Sequence, residues 1–88
     1  MGWEEAARNL SKHRVSFTEA ARIFRDSLAY TYVDSVHSGS EHRYILIGLS
    51  DQDRILVVAH ATRGEVVRII SARKATRRER RSYEEASK

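Results

Sequence analysis

The sequence predicts an α+β domain with the element order α-α-β-β-β-β-α. Near the N-terminus, apolar residues recur at the spacing of helix faces. The middle of the chain instead carries short runs rich in Tyr, Val and Ile, separated by polar turns. A basic segment with a helix-capping pattern follows them. Because 88 residues suffice for one domain with a modest core, residues 1–88 are expected to form a single domain.

Two short helices are predicted at the N-terminal end. The first is indicated by apolar residues at positions i, i+3, i+4 and i+7, which are Trp3, Ala6, Ala7 and Leu10. The second begins with a capping-box spacing, in which Ser16 accepts from the Glu19 N–H and the Glu19 carboxylate returns to the Ser16 N–H. Helices this short need an apolar partner, and we expect Trp3, Phe17 and Phe24 to lie in the core.

A four-stranded antiparallel sheet is predicted to receive these helices. Its strands are expected at residues 28–34, 43–50, 54–61 and 65–71. Their short connections make neighbouring strands antiparallel. Apolar residues on both sides of the third strand indicate that both sheet faces are partly covered. A second capping-box spacing, Thr76-x-x-Glu79, starts a basic helix over about residues 77–86.

Composition limits the class of protein. The chain has no cysteine and no long apolar run, which argues against a disulfide framework, a thiolate metal site, a membrane span and a secretory signal. We therefore expect a protein of the reducing cytoplasm that does not interact with membranes.

The positive charge is concentrated at the C-terminal end. Residues 63–88 hold nine Lys or Arg and four Asp or Glu, a net charge of +5, whereas residues 1–62 hold seven and eight, a net charge of −1. Such an asymmetry indicates a polyanionic partner, with RNA or DNA as the first candidate. A solvated basic face explains the composition equally well, so charge alone leaves both interpretations open.

Three segments of the chain resemble the BrnT toxins of bacterial type II toxin–antitoxin systems. They are N-L-S-K-H-R-V-S-F at 9–17, R-Y-I-L-I-G-L-S at 43–50 and R-I-I-S-A-R-K-A-T-R-R-E-R at 68–80, followed by Tyr83. The resemblance covers nearly the whole chain, in the order and spacing of the family. It implies a RelE-like fold and a ribonuclease that cleaves mRNA and arrests translation.

The resemblance also implies a protein partner. BrnT toxins are neutralised by a BrnA-type antitoxin with a ribbon-helix-helix DNA-binding domain. The expected complex is a heterotetramer that contacts the DNA of its own operon through the antitoxin.

One position departs from the family pattern. BrnT toxins usually have Gly after the Lys-His pair, where this chain has Arg14. Glycine suits the left-handed residue that follows a helix, and another residue there costs roughly 1 kcal/mol or more. Either the first helix ends differently in this chain, or Arg14 adopts the strained conformation.

RNA cleavage without metal needs a base for the 2′-OH, an acid for the leaving 5′-oxygen and cations for the phosphoryl charge. The acidic residues are scattered, and no pair has the spacing of a Mg²⁺ clamp. His37 and His42 share a predicted loop with Glu41, which is a weak metal signal. We therefore expect metal-independent cleavage with no cofactor.

Arginines are expected to hold the phosphate, because the planar guanidinium binds two oxygens at once. Arg68 interrupts an apolar strand, which predicts either a position on the floor of a cleft or a salt bridge to Glu41 or Glu65. Arg77 begins the last helix, where backbone N–H groups also attract phosphate. The other candidates for phosphate or RNA binding are Arg43, Arg73, Arg80 and Tyr83. A second interpretation of Tyr83 is a docking contact on the sheet.

Two residues are candidates for proton transfer. Lys12 could anchor phosphate or act as an acid or base, or it could simply complement the helix dipole. His60 has a suitable reference pKa, but a half-buried structural histidine is the alternative. A two-residue turn at Arg63-Gly64 would place His60 opposite Arg68, whereas a three-residue turn at Thr62-Arg63-Gly64 would bring the two to one face.

Two other function classes remain open from the sequence. The same basic tail would serve a nucleic-acid-binding module without catalysis, with affinity that falls steeply with salt. It would also serve an interaction protein whose basic helix binds an acidic partner.

Overall fold

The structure is a computed structural model that describes residues 3–36 and 41–86, with the exception of the Trp3 side chain. The helices are α1 (Trp3–His13), α2 (Phe17–Arg22) and α3 (Arg77–Ala86), and the strands are β1 (Tyr30–Val33), β2 (His42–Leu49), β3 (Ile55–Arg63) and β4 (Val66–Lys74). A 3₁₀ turn at Ile23–Arg25 extends α2. The α+β class and the element order are confirmed. The predicted core position of Trp3 and the predicted loop residue His37 lie outside the described side chains.

The four strands form one antiparallel sheet in the order β1-β2-β3-β4. In the β3–β4 hairpin Arg63 pairs with Val66, so the turn residues are Gly64 and Glu65. This turn lies one residue beyond both predicted alternatives. Gly64 has a φ of +62°, and a glycine at the first central position is typical of a type II′ turn. The backbone requirement of this glycine therefore decides the register.

The two faces of the sheet carry separate clusters. On one face, here called the helical face, α1 and α2 cover the main core, which contains Val15, Ala20, Ile23, Leu46, Leu56, Val58 and Ala72. On the other, here called the open face, Tyr83 of α3 packs against Ile47 and Val57. Helix α3 is short and covers only part of this face. The rest of the open face is available for ligands.

Phe24 does not take its predicted core position. Its side chain is 42% exposed, because the 3₁₀ turn carries it to the margin of the helical face. Phe17 is half-buried. The core prediction is therefore wrong for Phe24.

Asn9 fixes helix α1 along the outer edge of β4. Its Oδ1 accepts from the Ala72 N–H at 3.0 Å, and its Nδ2 donates to the Ala72 carbonyl at 2.8 Å. Nδ2 also donates to the Val15 carbonyl at 2.8 Å. One side chain therefore supplies hydrogen-bond partners to backbone groups at the edge of β4 and in the segment that follows α1. Buried polar groups of this kind require such partners.

The start of α2 is capped differently from the prediction. Ser16 Oγ accepts from the Glu19 N–H at 3.0 Å, as expected. The buried Glu19 carboxylate does not complete the capping box but turns to the β2–β3 connection, where it accepts from Ser50 Oγ at 2.7 Å and Arg54 Nε at 2.9 Å. Tertiary charge pairing is the stronger interaction here.

Arg14 is expected to strain the end of α1. Its φ is +60°, and its N–H donates to the Leu10 carbonyl at 2.9 Å, so it occupies the left-handed position that favours Gly. We expect Arg14→Gly to raise the free energy of unfolding by about 0.5–1 kcal/mol, measured by denaturant titration. Arg14→Ala, which keeps the Cβ, is the control. Equal stability of the Gly and Ala variants would contradict the strain.

Candidate nucleic-acid interface

The strand register aligns the arginines of the open face. Across the sheet, Arg43 of β2 and Arg68 of β4 both pair with Ala61 of β3. The adjacent row contains Tyr32, Ile45, Ala59 and Ser71, and the next row ends at Arg73. We call Tyr32, Arg43, Arg68 and Arg73 the arginine patch. Since β3 contributes only alanine methyls between Arg43 and Arg68, the two guanidinium groups flank a low strip of the sheet.

Arg68 is held by a carboxylate. Its Nη2 donates to Glu41 Oε1 at 2.8 Å, and its Nη1 lies 4.0 Å from Glu5 Oε2. The side chain remains 37% exposed. Both sequence interpretations therefore describe part of the geometry, because Arg68 lies on the open face and also forms the predicted ion pair with Glu41. The pair orients the guanidinium and leaves further N–H donors for a ligand.

Arg73 is held by a fork-to-fork pair with Glu79. Its Nη1 and Nη2 donate to the two carboxylate oxygens at 2.7 and 2.9 Å. Glu79 also accepts from the Thr76 N–H at 2.8 Å and donates its own N–H to Thr76 Oγ1 at 3.2 Å, which completes the predicted capping box. The hydrogen bond from Arg73 lowers the pKa of Glu79 to about 2. Glu79 therefore stays ionised at neutral pH and acts as an orienting group.

Tyr32 adds an aromatic surface to the patch. Its ring stacks on that of Tyr30, with centroids 6.4 Å apart, and it is 47% exposed. Partial burial, followed by the nearby Glu79 carboxylate, raises the pKa of Tyr32. The hydroxyl is therefore protonated at neutral pH, and the ring is available for stacking against a base.

The arginines of α3 lie beside the patch. Arg77 and Arg80 are exposed, as are Arg78 and Arg81, so exposure does not distinguish the two phosphate-binding candidates from the other arginines of the helix. Tyr83 is 6% exposed, and its hydroxyl donates to Asp26 Oδ2 at 2.5 Å. Tyr83 is therefore a docking contact between α3 and the sheet, as the second interpretation predicted. Because the ring is buried, it is not available to stack on RNA.

Lys12 lies in a groove between α1 and β4. The groove has a volume of about 320 Å³, and its lining includes Arg8, Lys12, His13, Ile70 and Ser71. Ser71 belongs to the row that contains Tyr32, so this groove adjoins the open face across the edge of β4. Lys12 is therefore at the margin of the patch.

His60 lies on the opposite face of the sheet from Arg68. It pairs with Ile69 and Tyr44, whereas Arg68 pairs with Ala61. Its ring is 6% exposed, with centroids 5.1 Å from Phe24 and 5.6 Å from Tyr44. Neither ring nitrogen has a hydrogen-bond partner within the described part of the chain. The expected role of His60 in proton transfer at the arginines does not fit this position.

His60 should make the protein acid-sensitive. Burial lowers the pKa of His60 below the usual 6.5. Below pH 6.5 the unfolded chain therefore binds more protons than the folded chain. The stability that neutral, buried His60 allows is complete above that pH and is lost as pH falls. We expect the free energy of unfolding to fall by as much as about 1.4 kcal/mol per pH unit below this value. Denaturant titrations at pH 7.5 and 5.5 measure the loss, which His60→Phe should abolish; an unchanged slope in that variant would contradict the assignment.

Sequence reasoning missed Tyr32 and treated Glu41 only as a possible ion-pair partner or as part of a weak metal signal. The alternation of Tyr30 and Tyr32 placed both rings on one face, but only the register shows which face carries the arginines. Within residues 3–36 and 41–86, no three His, Asp or Glu side chains come together in a manner suited to a metal ion. None of the described helices combines the length and the hydropathy that a membrane crossing requires.

The fold and this surface define a small, basic α+β protein with an arginine-rich sheet face, the type of surface that binds polyanions. The chain belongs to the family of ribonuclease toxins, BrnT, of type II toxin–antitoxin systems, whose family model matches residues 3–79. The match contains the whole sheet and ends at Glu79 in α3. No curated protein sequence matches the chain. Family membership implies ribonuclease activity, an RNA substrate and an antitoxin partner.

Proposed function

We propose that the chain is a metal-independent endoribonuclease that cleaves mRNA in the bacterial cytoplasm and so blocks translation. In this proposal the protein has a RelE-like fold. The observation that carries the proposal is the row Arg43–Ala61–Arg68 on the open face, which lies beside Arg73 and Tyr32. This row presents two arginines on strands about 10 Å apart, and the adjacent row adds an aromatic ring, which suits a phosphate with an adjoining base.

The arginines supply the electrostatic part of the reaction. Arg43 and Arg68 bind the non-bridging oxygens of the scissile phosphate from its two sides. Both guanidinium groups stay charged throughout, so they stabilise the additional negative charge that develops as the 2′-oxygen attacks. Arg73, Arg77 and Arg80 bind flanking phosphates, and Tyr32 stacks on a neighbouring base.

Proton transfer is assigned to Glu41, which is paired with Arg68, and to Lys12, whose groove adjoins the open face across the edge of β4. Glu41 is held beside Arg68 and accepts the 2′-OH proton as the nucleophile attacks phosphorus. Lys12, at the margin of the patch, protonates the departing 5′-oxygen, so that the products carry a 2′,3′-cyclic phosphate and a 5′-hydroxyl. His60 has no part in this scheme, because the sheet separates it from the arginines.

The test is incubation of the purified protein with single-stranded RNA in excess EDTA. We expect cleavage to persist and to yield cyclic-phosphate ends, since arginines take the place of a metal ion. Activity that disappears with the chelator and returns with Mg²⁺ would eliminate the metal-free mechanism. Salt-sensitive binding without any scission would favour the non-catalytic nucleic-acid-binding module instead.

We also propose that the antitoxin is a BrnA-like ribbon-helix-helix protein. The two proteins would form a heterotetramer that contacts operator DNA through the antitoxin. A small gene for such a protein beside or overlapping the toxin gene would support this pairing. Light scattering of the purified complex would give its stoichiometry.

A further inference from the structure

The two edges of the sheet differ. The edge of β4 is covered by α1, where Asn9 bonds both backbone groups of Ala72. On the other edge, the Asp34 N–H donates to the Arg43 carbonyl at 2.9 Å, which marks that pair as a hydrogen-bonded position of the ladder. The alternation of an antiparallel ladder then directs the N–H and C=O groups of Thr31 and Val33 away from β2.

Strand β1 is a short edge strand of four residues, with no charged residue and no Pro. Proteins commonly place charged residues, Pro or a bulge on an exposed edge. The sequence of β1 is Tyr-Thr-Tyr-Val, with no charge and no Pro, and its pairing with β2 has no register shift. Among the elements that the structure describes, none pairs with the outer side of β1. Within residues 3–36 and 41–86, its outer backbone groups are therefore available to pair with another chain.

Exposed apolar side chains concentrate near this edge on the helical face. Val33 is 61% exposed and begins a row that continues through Tyr44 to His60. Phe24, at 42% exposure, lies over the inner end of this row with its ring 5.1 Å from that of His60. Leu28, which precedes β1, is 51% exposed. A strand added at β1 would place alternate side chains against this apolar strip.

The open face at the same edge offers positive charge. On this face Tyr32 lies on β1 itself and Arg43 on the adjacent strand β2, whereas Arg68 and Arg73 lie on β4 at the far edge of the sheet. The whole chain carries a net charge of +4. The side chains of an added strand that point to the open face would therefore be attracted to the arginines if they were acidic.

We propose that the antitoxin neutralises this toxin by adding an extended segment to the free edge of β1. The segment alternates apolar residues, which pack on Val33 and Tyr44, with acidic residues, which are attracted to Arg43 and, at longer range, to the other arginines of the patch. Backbone hydrogen bonds to Thr31 and Val33 supply affinity, and the alternating side chains supply specificity. The inference rests on the proposed function in one respect, because the acidic side chains would displace RNA phosphates from the same arginines.

The sharpest variant is Thr31→Pro. Thr31 directs its N–H outward, so proline there removes a donor to the added strand and keeps the ladder with β2. Thr31→Val, which retains the N–H, is the matched control. We expect Thr31→Pro to weaken binding of the purified protein encoded by the adjoining antitoxin gene at least tenfold, or about 1.4 kcal/mol at 25 °C. Calorimetric titration gives both affinities, and Thr31→Val should bind like the original chain.

Amide hydrogen exchange of the original chain tests the site without any substitution. The Thr31 and Val33 amides should exchange slowly in the complex and rapidly in the free toxin. Unprotected amides in the complex, or full affinity of a folded Thr31→Pro variant, would overturn the proposal. Protection that appears in concentrated toxin alone would assign the edge to a second copy of the chain, and would overturn it too. If protection occurs but the free toxin cleaves no RNA, the proposed function fails and the binding site stands.

Discussion

Replacing Arg68 with alanine is expected to lower the rate constant of RNA cleavage by about 100-fold or more. The proposed mechanism places Arg68 at the scissile phosphate, because it shares Ala61 with Arg43 and is oriented by Glu41 at 2.8 Å. In the proposed mechanism, alanine removes a charge that stabilises the transition state more than the ground state. The loss should therefore appear in the cleavage step measured under single-turnover conditions, with a smaller change in RNA affinity.

Two matched variants distinguish a specific role of the Arg68 guanidinium in cleavage from a general effect of the protein's positive charge. Arg68→Lys keeps the positive charge but loses the fork, so it should recover only part of the rate. Arg25→Ala removes an exposed arginine from the 3₁₀ turn, which is not part of the arginine patch, and should cleave at the original rate. An Arg68→Ala variant with full activity and native circular dichroism would remove Arg68 from the site.

Local chemistry explains how much of the fold was predictable. The spacing of Thr76 and Glu79 predicted the cap of α3, and the short connection between the second and third predicted strands predicted the β2–β3 hairpin. Such patterns depend only on neighbouring residues. For Arg14, the sequence identified the position but left open whether the helix ends differently or the residue is strained. The backbone φ of +60° shows that Arg14 adopts the strained conformation.

The site was less predictable because it depends on register. Whether His60 or Ala61 faces Arg68 is decided by a single residue in the turn at Gly64. The β4 strand also contains a register shift opposite Ala59 and His60, which no local pattern indicated. The arginines of the patch were predicted from charge and resemblance, whereas their common face with Tyr32 required the strand pairing.

Long-range polar contacts were beyond sequence reasoning for a related reason. Asn9 and Ala72 are 63 positions apart, and Glu19 and Arg54 are 35 apart. Nothing in the local sequence distinguishes Asn9 from an exposed polar residue of an amphipathic helix. For Glu19 the capping-box spacing correctly predicted the hydrogen bond from its backbone N–H to Ser16. It gave the wrong partner for the carboxylate, which accepts from Ser50 instead of the Ser16 N–H.

Replacing Arg54 with methionine is expected to cause the largest loss of stability. The Glu19 side chain is only 2% exposed, and Arg54 donates to it through both Nε and Nη2. Arg54 Nη2 also donates to the Arg14 carbonyl at 3.1 Å. Methionine would leave a buried carboxylate with Ser50 as its remaining side-chain partner, which should cost about 3 kcal/mol in the free energy of unfolding. For a domain of this size, that corresponds to a Tm lower by roughly 12 °C or more.

The dependence on pH identifies the buried charge as the cause. In the original chain, the hydrogen bond from Arg54 lowers the pKa of Glu19 below its usual 4.5, so the pair stabilises the fold above that pH and less as pH falls. Without Arg54, burial is the dominant influence and raises the pKa of Glu19. The contribution of Glu19 to stability then decreases as pH rises, which is the reverse of its behaviour in the original chain. The stability deficit of Arg54→Met should thus widen from pH 4 to pH 7. The double variant Arg54→Met/Glu19→Gln should show a smaller deficit with little pH dependence, and equal deficits at both pH values in the single variant would rule out an uncompensated carboxylate.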